Sequence, residues 1–111
     1  MILQEIIDYC LEKPDTEITF PFGDVPVCMK INGRIFAEIY PHPDNYKVTL
    51  RCDPADGEYF RSAYPEIIIP GYHVPLRQRR FKITVLLHNN PDDGLLRELI
   101  NRSYNEAIKR S

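Results

Sequence analysis

The residues best suited to bind a ligand form a basic run between a turn and a strand. Tyr72 and His73 follow Pro70-Gly71, and four cations then fall within six residues: Arg77, Arg79, Arg80 and Lys82. Guanidinium groups present a planar fork of donors that matches phosphate or carboxylate oxygens. The run therefore predicts an anion-binding loop, in which Tyr72 and His73 shape the backbone or stack on a base. A solvated charge run before a strand is the alternative.

Further cations are expected on one face of a sheet, because side chains alternate between the two faces of a strand. This alternation predicts an outer face that carries Lys30, Lys47, Thr49, Arg51, Arg80, Lys82 and Thr84, with Phe36 and Tyr40 on the same parity. Cations interleaved with aromatic rings are typical of a platform for phosphates and bases. A solvated sheet also needs a polar outer face, and Glu38 dilutes this one, so both interpretations stay open.

A second candidate site is acidic. Glu5, Asp8 and Glu12 form one stripe of the first predicted helix, and Asp15 and Glu17 continue it. Carboxylate oxygens are suitable ligands for divalent or ferric cations, which makes metal binding a rival hypothesis. No histidine joins the stripe, and a solvated helix face is the alternative interpretation.

Catalytic chemistry has little support in the sequence. Cys52 beside Asp53 and the distant His73 are the candidates for nucleophilic catalysis, and their spacing does not place a base next to the thiol. The cysteines are three in number and lack C-x-x-C spacing, which argues against a disulfide framework or a zinc knuckle. We therefore expect a protein that is not an enzyme and that needs no cofactor.

Length and composition fit a single domain over residues 1–111, with 43% apolar and 27% charged residues. The formal net charge is −2, but residues 25–90 hold nine cations against six acids, which favours an anionic partner. The apolar runs are too short to span a bilayer, and acids stand where a secretory signal would carry cations. We expect a cytoplasmic monomer that does not bind a membrane.

Local patterns predict the elements that position these residues. Apolar residues repeat at helical spacing over residues 2–11. Residues 25–31 and 34–40 alternate on either side of Asn32-Gly33, the preferred pair for a type I′ hairpin. The passage from Thr16 to Asp24 is rich in turn formers, and we expect Phe20 and Phe22 to tuck under the edge of the core.

The second half of the chain continues the sheet and adds two helices. Residues 47–52 alternate as a third strand, and Asp53-Pro54 begins a helix that should present Ala55, Tyr59, Phe60 and Ala63 inward. Residues 67–69 and 79–87 read as strands, and an amphipathic helix follows residues 90–93. The predicted fold class is α+β, a two-layer sandwich of an antiparallel sheet with helices on one face.

Five short motifs in this order resemble the MmcQ/YjbR-like family over nearly the whole chain. They are Phe20-Pro21-Phe22-Gly23, Lys30-Ile31-Asn32-Gly33-Arg34-Ile35-Phe36-Ala37, Leu50-Arg51-Cys52-Asp53-Pro54, Pro70-Gly71-Tyr72-His73 and Glu98-Leu99-Ile100-Asn101-Arg102-Ser103-Tyr104. The resemblance implies a CyaY-like (frataxin-like) sandwich and a DNA-binding role as a double-wing module. The family commonly carries a Trp soon after Gly-Tyr-His. This chain has no Trp, and its segment from Val74 to Arg80 is longer and more basic.

The leading hypothesis is a domain that binds DNA or another nucleic acid through the outer sheet face and the loop 72–82. The residues assigned to this site are Arg77, Arg79, Arg80, Lys82, Lys30, Lys47, Arg51, Tyr72 and His73. Frataxin-like iron binding through Glu5, Asp8 and Glu12 is one alternative. A protein-interaction module that docks an acidic partner is the other.

Overall fold

The computed structural model of the chain describes residues 1–109, and this part contains three helices and one six-stranded sheet. The elements are α1 (Leu3–Leu11), β1 (Thr16–Thr19), β2 (Val27–Ile31), β3 (Arg34–Tyr40), β4 (Lys47–Arg51), α2 (Pro54–Ala63), β5 (Ile68–Pro70), β6 (Lys82–Leu86) and α3 (Asp93–Lys109). All neighbouring strands pair antiparallel in the order β1-β2-β3-β4-β6-β5. No helix in this part of the chain is long and apolar enough to cross a membrane.

The three helices lie side by side on one face of the sheet, which confirms the predicted α+β sandwich. The Tyr9 hydroxyl donates to Asn101 Oδ1 at 2.8 Å and joins α1 to α3. Arg102 donates to Asp56 at 3.0 Å and joins α3 to α2. The core between the layers includes Ile6, Met29, Ile39, Val48, Leu50, Ile83, Val85, Leu96 and Ile100, all almost fully buried. Each such side chain contributes roughly 1.5–3 kcal/mol to folding.

The β2–β3 hairpin forms as predicted, with positive φ at Asn32 (51°) and Gly33 (77°). Its pairing then shifts by one residue, because Met29 pairs with Ala37 while Lys30 pairs with Ile35. Phe36 is the extra residue of this β-bulge, and it packs edge-on against Tyr104 of α3. The prediction that Phe36 lies on the outer face is therefore wrong, since a bulge interrupts strict alternation.

The passage after α1 is not only a turn, because its first four residues pair with β2 as an edge strand. Ile18 is its one apolar residue, so alternation gave no signal for it. The predicted position of the two phenylalanines is also wrong, since Phe20 is 53% and Phe22 66% exposed. Gly23 has a φ of 106°, and its N–H bonds to the Phe20 carbonyl, so the chain turns away from the core here.

The predicted strand over residues 79–87 begins later than expected. Residues Leu76–Phe81 form a 3-10 helix, in which the Gln78 N–H bonds to the Pro75 carbonyl at 2.8 Å, and β6 begins at Lys82. Arg80 therefore lies on this 3-10 helix and not on the outer face of the sheet, which corrects its predicted place. The fixed φ of Pro75 suits the start of a tight turn, and this local preference outweighs the strand pattern.

Helix α2 packs on a different face from the one its sequence suggested. Its N-cap is Asp53, which accepts from the Asp56 N–H at 3.0 Å as predicted. Of the four residues expected inward only Phe60 is buried, and Tyr59 is 65% exposed. The other buried residue of α2 is Gly57. Because Gly57 has no side chain, the helix can approach Cys52 and Ile83 closely.

Replacing Gly57 with Ala tests this close approach. Helix propensity alone would stabilise the protein by about 1 kcal/mol. The added Cβ would lie 2.9 Å from Cys52 Sγ, however, and overpacking of a core costs about 1–3 kcal/mol. We expect chemical denaturation to show a net loss of about 1 kcal/mol in the free energy of unfolding. A more stable variant would mean that α2 is loosely packed on the sheet.

Candidate functional site

The helix-free face of the sheet is only partly open. Across its middle, Glu38, Thr49 and Thr84 are cross-strand neighbours on β3, β4 and β6. The two threonine hydroxyls hydrogen-bond at 2.8 Å and are buried, which corrects their predicted exposure. The Tyr72 N–H donates to Thr84 Oγ1 at 2.8 Å, so the segment after β5 crosses this face. The open surface is what remains beside that segment.

That open surface is a groove made of two adjoining depressions, which share Phe22 and Glu38. The first depression has a volume of about 690 Å³ and is cationic; its charged lining residues besides Glu38 are Lys30, Arg34, Arg51 and Lys82. The second has a volume of about 450 Å³ and is aromatic; its lining includes Pro26, Tyr40, Asn45, Tyr72 and His73. We call these the cationic half and the aromatic half of the groove.

Internal contacts hold two of the four cations in place. Lys82 Nζ lies 3.4 Å from Glu38 Oε1, and each of these side chains is 17% exposed. Arg51 Nε donates to the Ile35 carbonyl at 2.6 Å, next to the bulge of β3. Four positive charges against one negative charge leave the cationic half strongly positive. An anion in this half would meet two cations, Arg51 and Lys82, that already have internal partners.

Tyr72 organises the aromatic half. Its ring meets the Tyr40 ring edge-on at 5.3 Å and the His73 ring at 4.1 Å. Lys47 Nζ lies 3.9 Å from the centre of the Tyr72 ring, a cation–π contact. Burial, followed by the nearby charge of Glu38, raises the pKa of the Tyr40 hydroxyl.

The 3-10 helix of residues 76–81 forms a separate basic surface. Arg77, Arg79 and Arg80 are exposed there. Arg79 and Arg80 line a small cavity of about 260 Å³ together with Arg61 of α2. The connection to the groove is indirect, through a depression of about 340 Å³ whose lining includes Gln78, Arg51 and Lys82.

The predicted site residues thus fall into three groups rather than one. Lys30, Arg51 and Lys82 meet in the cationic half, Tyr72 and His73 line the aromatic half with Lys47 against the Tyr72 ring, and Arg77, Arg79 and Arg80 stand apart on the 3-10 helix. Sequence reasoning missed Phe22, Arg34 and Arg61. Phe22 belongs to an irregular loop, where alternation gives no signal. Arg34 has the parity of Glu38 and Tyr40, so alternation did favour the outer face, but Arg34 was not assigned to the site.

Comparison with known proteins shows which family this chain belongs to. The family model YjbR matches residues 11–106, which is most of the chain. The chain belongs to the YjbR family. This confirms the resemblance that the five motifs carried, and the matched region contains every residue that lines the groove.

Other proteins resemble this YjbR protein in sequence and in fold. It is 35% identical over 101 residues to the uncharacterized protein YbdF of Escherichia coli O157:H7, a match that covers 88% of this chain and 77% of the relative. The crystal structure of Deinococcus radiodurans protein DR2400, described as a DUF419 domain, is 31% identical with a TM-score of 0.81, over 93% of this chain and 75% of that one. A Pseudomonas syringae protein has the same fold at 23% identity, with a TM-score of 0.79 over 96% of this chain and 99% of that one.

The acidic stripe of this YjbR chain has local structural roles. Glu5 Oε1 accepts from the Ile2 N–H at 2.8 Å at the start of α1, and Asp8 accepts from Gln4 at 2.8 Å. Among residues 1–109, no group of three or more His, Cys, Asp or Glu side chains lies close enough together to hold a metal ion. The structure does not bring Glu5, Asp8 and Glu12 together as a ligand set.

The three cysteines are buried free thiols. Burial raises the pKa of Cys10 to about 12, of Cys28 to about 11 and of Cys52 to about 12. The thiolate is the reactive form of cysteine, so these side chains are poor nucleophiles at neutral pH.

Proposed function

We propose that this YjbR protein binds single-stranded nucleic acid in the groove and acts by binding rather than by catalysis. One observation carries the proposal: a cationic depression and an aromatic depression adjoin and share Phe22 and Glu38. A nucleotide has the same two parts, an anionic phosphate and a flat base. The groove is therefore complementary to a short stretch of a strand.

The cationic half supplies the phosphate contacts. Lys30 and Arg34 flank the hairpin turn and are partly exposed, so both can reach a phosphate on the surface. Lys82, beside Glu38, and Arg51, bonded to the Ile35 carbonyl, line the same half and add positive potential. Contacts of this kind position a strand without reading its sequence.

The aromatic half supplies stacking. Phe22 is 66% exposed, so it contributes little to the core, and it stands at the junction of the two halves. Stacking of a base on an aromatic side chain contributes about 1–3 kcal/mol per base. An exposed ring beside a cationic surface is an efficient place for such a contact.

A single strand fits this groove better than a duplex. Bases in a duplex are already stacked on one another, so their flat faces cannot reach Phe22, Tyr40 or Tyr72. An unpaired base can turn into the aromatic half while its phosphate stays over Lys30. The arginines of the 3-10 helix then lie farther along the surface, beyond Gln78, and extend the phosphate path.

Salt dependence provides the test. We expect a labelled 12-nucleotide dT strand to bind more tightly than a 12-base-pair duplex in fluorescence anisotropy. Displacement of counterions from about three phosphates predicts a fall in affinity of about 40-fold between 25 and 150 mM salt. The absence of binding at 25 mM salt would contradict the proposal. Equal binding of poly-glutamate would favour the alternative of an acidic protein partner.

A further inference from the structure

We propose that Glu38 and Lys82 select guanine over the other bases in the groove. This inference rests on the proposed function and names the base that the same site prefers. Within residues 1–109, Glu38 is the one acid that lines either half of the groove, and it lines both. It thus stands where the base and the phosphate of one nucleotide would meet.

A carboxylate in this position weakens phosphate binding, since it repels the phosphate and neutralises part of the cationic half. Its contact with Lys82 does not account for the position by itself. The distance of 3.4 Å from Glu38 Oε1 to Lys82 Nζ is long for a charge-assisted hydrogen bond, which is usually about 2.7–2.9 Å. The ion pair is therefore open enough for both groups to bond to a third one.

The two groups together form a donor–acceptor pair that matches the Watson–Crick edge of guanine. Guanine presents two adjacent donors, N1–H and N2–H, and a carboxylate accepts both in a planar bidentate arrangement. Guanine O6 lies beside N1 and accepts a hydrogen bond from an ammonium group. Adenine, cytosine and thymine each present only one donor position along this edge, so they leave one carboxylate oxygen unpaired.

The walls of the aromatic half fit a base in this orientation. Tyr40 follows Glu38 by two residues on the same face of β3, and Tyr72 lies edge-on to it at 5.3 Å. Phe22, from the loop between β1 and β2, lines the same depression. A purine between Phe22 and the tyrosines would direct its Watson–Crick edge at the floor of the groove, where Glu38 and Lys82 lie.

The test uses four labelled strands of 12 nucleotides, each dT except for one central G, A, C or T. We expect the wild-type protein to bind the G strand about 10-fold more tightly than the A strand. Competition with GMP and AMP then separates two sources of the same chemistry. Displacement by GMP in preference to AMP would show that the isolated nucleotide is read, whereas a preference seen only in strands would show that the strand must position the base.

The Glu38→Gln variant should change two measured quantities in opposite directions, the preference for G and the affinity for dT. It should lose the preference for G while it binds the all-dT strand about 2- to 5-fold more tightly, because one negative charge has left a cationic surface. Glu12→Gln is the matched control, since it removes the same charge from the exposed helix layer and should change neither value.

The possible failures are distinguishable. Equal wild-type affinity for all four strands, or a preference for A, C or T, overturns guanine selection and leaves the proposed function in place. The absence of binding to every strand overturns both. The comparison in the wild-type protein needs no variant, so it decides the question even if Glu38→Gln does not fold.

Discussion

Reversing two charges in the groove should abolish most binding of single-stranded DNA. In the Lys30→Glu/Arg34→Glu variant, the charged lining of the cationic half changes from four cations and one acid to two cations and three acids. The sign of the local potential is thereby inverted, and two phosphate contacts become repulsive. We expect the affinity for a dT strand at 25 mM salt to fall about 50-fold or more, measured by fluorescence anisotropy.

The control for this prediction has the same change in net charge elsewhere. Arg97 and Lys109 are exposed on α3, in the helix layer on the opposite side of the sheet. Compared with the groove variant at 100 mM salt, Arg97→Glu/Lys109→Glu should reduce the affinity less than about 3-fold, because the Debye length is then about 10 Å and charges beyond that distance are largely screened. Equal losses in the two variants would show that net charge, and not the groove, governs binding.

Replacing Ser103 with Ala should destabilise the protein more than replacing Gly57 with Ala. Ser103 is fully buried on α3, where its hydroxyl donates to the Phe36 carbonyl and accepts from the Arg51 N–H at 2.8 Å. One side chain thus satisfies two backbone groups, at the bulge of β3 and at the end of β4. Each buried polar group left unpaired costs about 1–3 kcal/mol. We expect a loss of about 2–4 kcal/mol in the free energy of unfolding.

Chemical denaturation followed by circular dichroism measures this loss, and Ser62→Ala is its control. Ser62 is exposed on α2, so its replacement should change the free energy of unfolding by less than about 0.5 kcal/mol. A loss below about 1 kcal/mol in Ser103→Ala would mean that water reaches the bulge and pairs with both groups.

The bulge at Phe36 also shows why the groove could be predicted only in part. Alternation along β2, β4 and β6 correctly placed Lys30, Arg51 and Lys82 on the outer face. The same rule failed at Phe36, because the extra residue arises from a shift in the pairing with β2. The Phe36 ring then packs against Tyr104 of α3. Residues 34–40 alone do not indicate the shifted pairing or the contact with Tyr104.

The basic loop illustrates the same limit. Its composition correctly indicated an exposed and cationic segment, but the strand pattern over residues 79–87 placed Arg80 on the sheet. The 3-10 helix instead moves Arg77, Arg79 and Arg80 to a separate surface. The arginine that joins them, Arg61, comes from α2 and is far away in the sequence.

The amino-acid sequence by itself determined the fold class, the hairpin at Asn32-Gly33, the cap at Asp53 and the family. These features depend on hydrogen bonds and periodicities within a few residues, which the local sequence contains. Only the tertiary structure decided that Phe22, Glu38 and Tyr72 share one groove, because they come from a loop, a strand and a crossing segment. Their proximity is set by strand pairing and by burial against α3, and these are interactions between residues distant in the chain.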